Sequence, residues 1–135
     1  YDLELVTKEQ KFNDILSLDL GQEIDFNGIK IKASRVLEKE SKDKNIGYFD
    51  LDRVSFPLTI RTRRNGDRFK PLGMNHNKKL KDFFIDQKID KNIRDEVPII
   101  LSNDEIIWLA GHRISEDYKV SNQTKNILKI EVAND

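Results

Sequence analysis

The chain has 135 residues, 36% charged and 37% apolar, and its Lys and Arg residues balance its Asp and Glu residues at a net charge of zero. This length and composition predict a single globular domain, residues 1–135, with a modest core. The lack of cysteine excludes disulfides and thiolate metal sites and is consistent with the cytoplasm. No stretch approaches the about eighteen apolar residues of a membrane span, so no membrane partner is expected. Because the chain begins with Tyr1 rather than Met, we interpret it as a piece of a longer protein.

Although the net charge is zero, the cations are concentrated in the middle of the chain. Residues 1–60 hold nine cations and twelve acids, residues 61–94 hold eleven and four, and residues 95–135 hold four and eight. Four arginines lie within the eight residues from Arg61 to Arg68. This concentration predicts a surface for a polyanion, and arginine favours phosphate because its planar fork matches phosphate geometry. The alternative is an ordinary solvated cationic face.

The first half of the chain is typical of β-structure. Its strongest signal is Asn27-Gly28, because both residue types tolerate the positive φ angles of a tight hairpin turn. The polar run 38–45 predicts a surface loop. In chain order, the predicted strands are a loosely alternating Tyr1–Val6, then Glu23–Phe26, Ile29–Val36, Tyr48–Leu51 and Phe56–Arg63. In the last of these, Leu58 and Ile60 face one way, and Thr59 and Arg61 face the other.

A helical period follows the turns predicted at residues 65–67 and 71–73. Leu80, Phe83 and Phe84 have the spacing of a short amphipathic helix. Asp90 is the predicted N-cap of a second helical turn over 90–96. The remaining predicted elements are a hairpin of 98–101 with 105–110 and a strand over 126–132. Together these elements predict an α+β domain of layered, mostly antiparallel sheets with a short helical insert.

This arrangement also predicts where the helix packs. We expect its apolar face to lie against a sheet that includes Leu58, Ile60, Ile107 and Leu109.

The sequence indicates no catalytic or metal-binding constellation. His76 and His112 are far apart, and no cysteine is present to complete a metal site. Asp67 lies between Arg64 and Arg68 and is expected to hold one of their guanidinium groups. We therefore predict no catalytic residue, no metal and no cofactor within this chain.

Ordered motifs in the second half of the chain carry a resemblance to a known family. They are the segments 56–74, 78–86, 93–98 and 107–115. In composition, order and spacing these segments resemble the C-terminal domain of bacterial tRNA(Ile)-lysidine synthetase. On this basis residues 56–120 form the family motif region, and residues 1–55 form a β-rich lead-in.

The resemblance implies a cytoplasmic, ATP-dependent ligase as the parent protein. Such enzymes attach lysine to the wobble cytidine of an isoleucine tRNA with a CAU anticodon, using ATP and lysine as substrates. Their chemistry belongs to an N-terminal domain with a Ser-Gly-Gly-x-Asp-Ser motif, which this sequence lacks. The resemblance thus implies a tRNA-binding part that grips the acceptor stem, has no activity alone and works with the catalytic domain of the same chain. It also implies a fold of layered sheets shared with the β subunit of phenylalanyl-tRNA synthetase.

Carried onto this sequence, the resemblance assigns tRNA contacts to nine cations. Phosphate contacts should dominate, because side chains cannot read the deep major groove of A-form RNA. The candidates are Arg61, Arg63, Arg64, Arg68, Lys78, Lys79, Lys81, Arg94 and Arg113, and Arg94 is also a candidate for an ion pair with an acid. Two other functions remain open. The first is an interaction or dimerisation module, in which the chain forms a homodimer and its cations are merely solvated. The second is a binding domain for a small amino-acid-like ligand.

Overall fold

The structure, a computed structural model, describes residues 15–134 and contains in that range eleven strands and two short α-helices. The strands are β1 (Leu16–Leu18), β2 (Glu23–Phe26), β3 (Ile29–Val36), β4 (Ile46–Asp50), β5 (Leu58–Arg61), β6 (Arg68–Phe69), β7 (Lys78–Lys79), β8 (Ile99–Ser102), β9 (Glu105–Leu109), β10 (Arg113–Ile114) and β11 (Ile127–Asn134). The helices are α1 (Leu80–Asp86) and α2 (Lys91–Arg94). The predicted strand Tyr1–Val6 falls outside the described residues. Within them, no helix is both long and apolar enough to cross a membrane.

The strands form two sheets and a small ribbon, all with antiparallel pairing. The five-stranded sheet has the order β1-β5-β8-β9-β10, and the four-stranded sheet has the order β2-β3-β11-β4. Strands β6 and β7 form the separate two-stranded ribbon. This architecture confirms the predicted α+β class of mostly antiparallel sheets with a short helical insert.

Both predicted hairpins are present. Asn27 and Gly28, between β2 and β3, have φ angles of 52° and 87°. Asn103 and Asp104, between β8 and β9, have φ angles of 49° and 64°. Two consecutive positive φ angles match the right-handed twist of the flanking strands, which is why Asn, Asp and Gly occur at these turns.

The first hydrophobic core lies between the two sheets. The four-stranded sheet contributes Phe49, which meets Trp108 of β9 edge-to-face with ring centroids 6.0 Å apart. A Cβ atom at Gly47 would lie 2.8 Å from the Phe49 ring, so this close packing requires glycine. Leu58 and Ile60 of β5 also face this core.

A second core covers the opposite face of the five-stranded sheet. The buried side chains Leu80, Phe83 and Phe84 of α1 pack here, as the helical spacing predicted. Their partners include Ile99, Leu101, Ile106 and Leu109, together with Phe69 of the ribbon.

The expectation that α1 packs on a sheet that includes Leu58, Ile60, Ile107 and Leu109 is confirmed, because β5 and β9 both belong to the five-stranded sheet. Of these four residues, Leu109 faces α1, whereas the other three face the first core. Alternation separates the two faces of a strand, but it does not say which layer covers each face. In addition, the register shifts between Ile100 and Leu101, which turns Ile107 toward the first core.

Candidate nucleic-acid interface

The ribbon of β6 and β7 presents cations on one face and anchors itself to the second core with the other. Phe69 is 4% exposed and meets Phe83 edge-to-face with ring centroids 5.3 Å apart. Its neighbour Arg68 points outward and lies directly opposite Lys79, which is also exposed. The alternation of a two-residue strand thus places two positive charges side by side on the surface.

Asp67 fixes the turn that leads into the ribbon. Its carboxylate accepts bonds from Arg61 Nη1 at 2.9 Å and Nη2 at 3.0 Å, and from the Arg64 backbone N–H at 2.7 Å. Its backbone carbonyl accepts the N–H of Leu80, the first residue of α1, at 3.0 Å. Asp67 therefore joins β5, the turn and α1 through one residue.

This arrangement corrects the expectation about Asp67 and shows a structural role for Arg61 that the sequence did not indicate. The guanidinium held by Asp67 belongs to Arg61, not to Arg64 or Arg68. Arg61 is only 9% exposed and also donates to the Thr62 carbonyl, so its guanidinium positions the turn from inside. This role could not be predicted from the sequence. Arg61 lies on the face of β5 opposite Leu58 and Ile60, and the second core covers that face.

The eight cations between Arg61 and Lys81 fall into two groups of four. Four of them are paired with carboxylates: Arg61 with Asp67, Arg63 with Asp95, Lys70 with Asp117, and Lys78 with Asp86. The other four are exposed and have no carboxylate within ion-pair distance among residues 15–134: Arg64, Arg68, Lys79 and Lys81. These four are called the open cations below, because they are available to an external anion.

Two further candidates are held against the aromatic rings of α1. The Arg63 guanidinium lies 5.6 Å from the centre of the Phe84 ring, and that of Arg113 lies 5.3 Å from the centre of the Phe83 ring. Such stacking restricts the guanidinium while leaving N–H groups at its rim. Both arginines are therefore partly committed to the fold at the border of the interface.

Arg94 has a different environment. Its Nε donates to the Ile89 carbonyl at 2.7 Å, which closes the loop between α1 and α2. The alternative of a bridge to an acid is thus replaced by a bond to the backbone. Asp90 is the N-cap of α2, as predicted, and accepts the Asn92 N–H at 3.0 Å.

The far end of the ribbon is tied to the five-stranded sheet through the turn 71–73. The Leu72 N–H donates to the Ile114 carbonyl at 3.0 Å, and the Gly73 N–H donates to Glu116 Oε1 at 2.9 Å. A hydrogen bond from Lys119 and the bond from Gly73 lower the pKa of Glu116, so this acid is already satisfied within the fold. The ribbon is therefore held at both ends.

The described residues do not favour the small-ligand alternative. Two clefts, of about 410 and 390 Å³, are open to solvent rather than enclosed. Within residues 15–134, no three His, Cys, Asp or Glu side chains are grouped in a way that would hold a metal ion. His112 lines both clefts, and its pKa is lowered by burial and by the charge of Lys44.

Comparison with known proteins identifies the class of domain. A model of the family described as "TilS substrate C-terminal domain" matches residues 58–132, which is more than half of the chain. The chain therefore belongs to the family of TilS substrate C-terminal domains.

Similar curated proteins are the tRNA(Ile)-lysidine synthases of several bacteria. That of Clostridium tetani is 45% identical over 119 residues, covering 85% of this chain and 26% of the relative. That of Clostridium perfringens strain 13 is 41% identical, covering 92% of this chain and 29% of the relative, and that of Bacillus subtilis is 40% identical, covering 76% and 23%. The chain thus spans between about a quarter and three tenths of the length of these relatives.

Solved structures agree with this assignment. A crystal structure of a TilS C-terminal domain matches with a TM-score of 0.76 and 28% identity, covering 90% of this chain and 96% of that one. An N-terminal fragment of the phenylalanyl-tRNA synthetase β subunit from Pyrococcus horikoshii matches with a TM-score of 0.53 at 14% identity, covering 98% of this chain and 32% of that one. The second likeness shows that the fold is shared, as the resemblance implied.

Proposed function

We propose that this domain binds tRNA by gripping the phosphate backbone of the acceptor stem with the open cations Arg64, Arg68, Lys79 and Lys81. In this proposal, the bound molecule is an isoleucine tRNA with a CAU anticodon. The domain positions it for the attachment of lysine to the wobble cytidine.

The observation that carries the proposal is the direct opposition of Arg68 and Lys79 across the ribbon. Like charges directly opposite each other on neighbouring strands destabilise the pairing. Among the described residues, no carboxylate lies within ion-pair distance of either side chain. A phosphate between the two side chains would turn the repulsion into two attractive contacts.

The surrounding contacts support a rigid, backbone-directed grip. Asp67 and the turn 71–73 hold the ribbon at both ends, so its cations are presented without a large ordering penalty on binding. Contacts to phosphate orient a protein on a helix without reading its sequence. We therefore assign Arg63 and Arg113 to the rim of the interface, and Arg61 and Arg94 to positioning.

The chemistry of the parent protein is assigned to another part of the same chain. The relatives are named tRNA(Ile)-lysidine synthases, and they are three to four times longer than this chain. We propose that an N-terminal catalytic domain, acting in the cytoplasm, uses ATP and lysine as substrates. In this proposal, the domain described here holds no cofactor and does not form lysidine by itself.

The test is a titration of this chain with the CAU-anticodon isoleucine tRNA at several salt concentrations. Arg68→Ala and Lys79→Ala should each weaken binding, and each should flatten the slope of log K against log salt by about 0.7–0.9. The loss should be similar for RNA of other sequences, since phosphate carries no base identity.

Lys32→Ala is the matched control. Lys32 is exposed on β3 and lies on the strand face opposite the buried Ile31 and Ala33, so it faces away from the ribbon. It should leave the affinity and the salt slope unchanged. If the two ribbon variants behave like Lys32→Ala, the tRNA-binding proposal is wrong, and the alternative of an interaction module would then be tested by measuring whether the chain dimerises.

A further inference from the structure

A second group of cations lines the 390 Å³ cleft beside the turn 71–73, outside the segment from Arg61 to Lys81. We call this cleft the basic groove. Its charged lining residues are Lys39, Lys42, Lys44, Arg113 and Lys119, with Asp43 as the carboxylate among them.

The loop that carries three of these lysines is held in a defined conformation. The Tyr48 hydroxyl accepts the backbone N–H groups of Glu40 at 3.2 Å and Ser41 at 3.1 Å. Asp43 Oδ1 accepts the N–H of Asn45 at 2.9 Å. Asp43 thus uses one carboxylate oxygen to hold the loop backbone.

Lysines and acids alternate in the loop that lines the groove, but the structure places mainly the lysines at the groove. Residues 38–44 hold three lysines and three acids, so the segment is neutral in the sequence and was interpreted only as a polar loop. All three lysines line the basic groove, whereas Glu38 and Glu40 do not. Among residues 15–134, none of the three lysines has a carboxylate within ion-pair distance.

The positive charge of the groove affects the pKa of His112, which lies at its wall. Burial is the larger cause of its lowered pKa, and the charge of Lys44 is the second. The lowered pKa means that the imidazole carries less positive charge near pH 7 than an ordinary histidine, so the positive charge of the groove comes from its lysines and Arg113.

The basic groove adjoins the layer that holds the ribbon. Leu72, in the turn after β6, lines the groove. Arg113 also lines it, and its guanidinium stacks on Phe83, which in turn contacts Phe69 of the ribbon. The groove is therefore joined to the ribbon through Leu72 and Arg113.

We propose that the basic groove binds the phosphate backbone of the same RNA molecule that the ribbon binds, as a second and separate contact. This inference rests on the proposed function. A repeating anion suits the groove better than a single phosphate, because the lysines are exposed point charges spread along an open cleft.

The experiment compares two pairs of substitutions in this chain by titration with a short RNA duplex at several salt concentrations. Lys42→Gln with Lys44→Gln removes charge from the groove, and Arg68→Gln with Lys79→Gln removes charge from the ribbon. Each lost contact should flatten the salt slope by about 0.7–0.9. The two effects should add when all four substitutions are combined, since the sites share no side chain. Lys32→Gln serves again as the control on the far face.

The outcomes separate the two proposals. If the ribbon variant loses affinity and slope but the groove variant does not, the groove proposal is overturned and the proposed function stands. If neither variant differs from Lys32→Gln, both are overturned. Folding does not confuse the result, because Lys42 and Lys44 are exposed and have no ion-pair partner among the described residues.

An NMR titration of the His112 imidazole gives a local readout. Two clefts adjoin it, and their charged lining residues are Lys39, Lys42, Asp43, Lys44, Arg113 and Lys119 on the groove side, and Glu96 in the neighbouring cleft. A phosphate bound in the groove should raise the lowered pKa of His112. A saturating RNA concentration that leaves this pKa unchanged would contradict the proposal, and the Lys42→Gln/Lys44→Gln protein should show no such rise.

Discussion

Arg61 and Asp67 form an ion pair in which both side chains are nearly buried, with exposed fractions of 11% and 10%. The pair is bidentate, so a planar guanidinium is required for its geometry. If the Asp67 carboxylate is removed, the Arg61 guanidinium remains buried, and its desolvation penalty is no longer offset by the attraction to an opposite charge. Asp67 is therefore expected to matter for stability as well as for the shape of the interface.

Asp67→Asn should lower the free energy of unfolding by about 3 kcal/mol, the lower end of the range for breaking a buried pair. Asp95→Asn is the matched control, because it removes the partner of Arg63 at a carboxylate that is 75% exposed. That change should cost less than about 1 kcal/mol. Chemical denaturation of the two variants checks the prediction, and equal losses would contradict it.

The environment of Tyr118 indicates how the stability of the domain depends on pH in the alkaline range. Burial, with the bond from its hydroxyl to Glu105 at 2.9 Å as the second cause, raises its pKa to about 12 from an ordinary value of 10. Between these values the unfolded chain releases the proton while the folded chain keeps it, so stability falls as pH rises through this range.

Denaturation at a series of pH values between 9 and 12 measures this loss. Tyr118→Phe should be less stable at neutral pH, since the bond to Glu105 is gone, but its stability should fall less with rising pH. An equal alkaline loss in both proteins would show that lysine titration, not Tyr118, is responsible.

At the scale of elements, α1 joins the ribbon to the five-stranded sheet. Phe84 is fully buried on this helix, while the next residue, Ile85, is 50% exposed. Phe84→Ala should lower the free energy of unfolding by about 3–5 kcal/mol through lost burial and the cavity left behind. Ile85→Ala, on the outer face of the same helix, should change it by about 0.5 kcal/mol or less. Urea denaturation distinguishes them, and similar midpoints for the two variants would mean that Phe84 is not packed as described.

The sequence predicted those elements whose signal is local. Asn27-Gly28 predicted a hairpin because its backbone preference is a property of the two residues, and Asp90 predicted a helix start for the same reason. The ribbon of β6 and β7 was missed, because two residues per strand are too few for a visible alternation. The burial of Arg61 was missed because it depends on Asp67 and on the layer above β5.

At the scale of the whole molecule, the sequence located the interface region but not its composition. The cation-rich segment from Arg61 to Lys81 was visible as a local charge excess. Which four of its eight cations are open depends on carboxylates as distant in sequence as Asp95 and Asp117. The basic groove was invisible in the sequence, because the charges of residues 38–44 cancel there, whereas in the structure all three lysines but only one of the three acids line the cleft.

The opposition of Arg68 and Lys79 has a consequence for the free domain. Added salt screens their repulsion, so it should make opening of the ribbon rarer, although it weakens the complex with RNA. Hydrogen exchange of the Phe69 amide, read at low and at moderate salt without RNA, measures the opening. Protection should rise with salt in the natural chain and should be nearly independent of salt in Lys79→Gln. High salt would then favour the closed ribbon and at the same time release the RNA. In the complex at low salt, the RNA phosphates themselves would reduce the repulsion between Arg68 and Lys79, as salt does in the free domain.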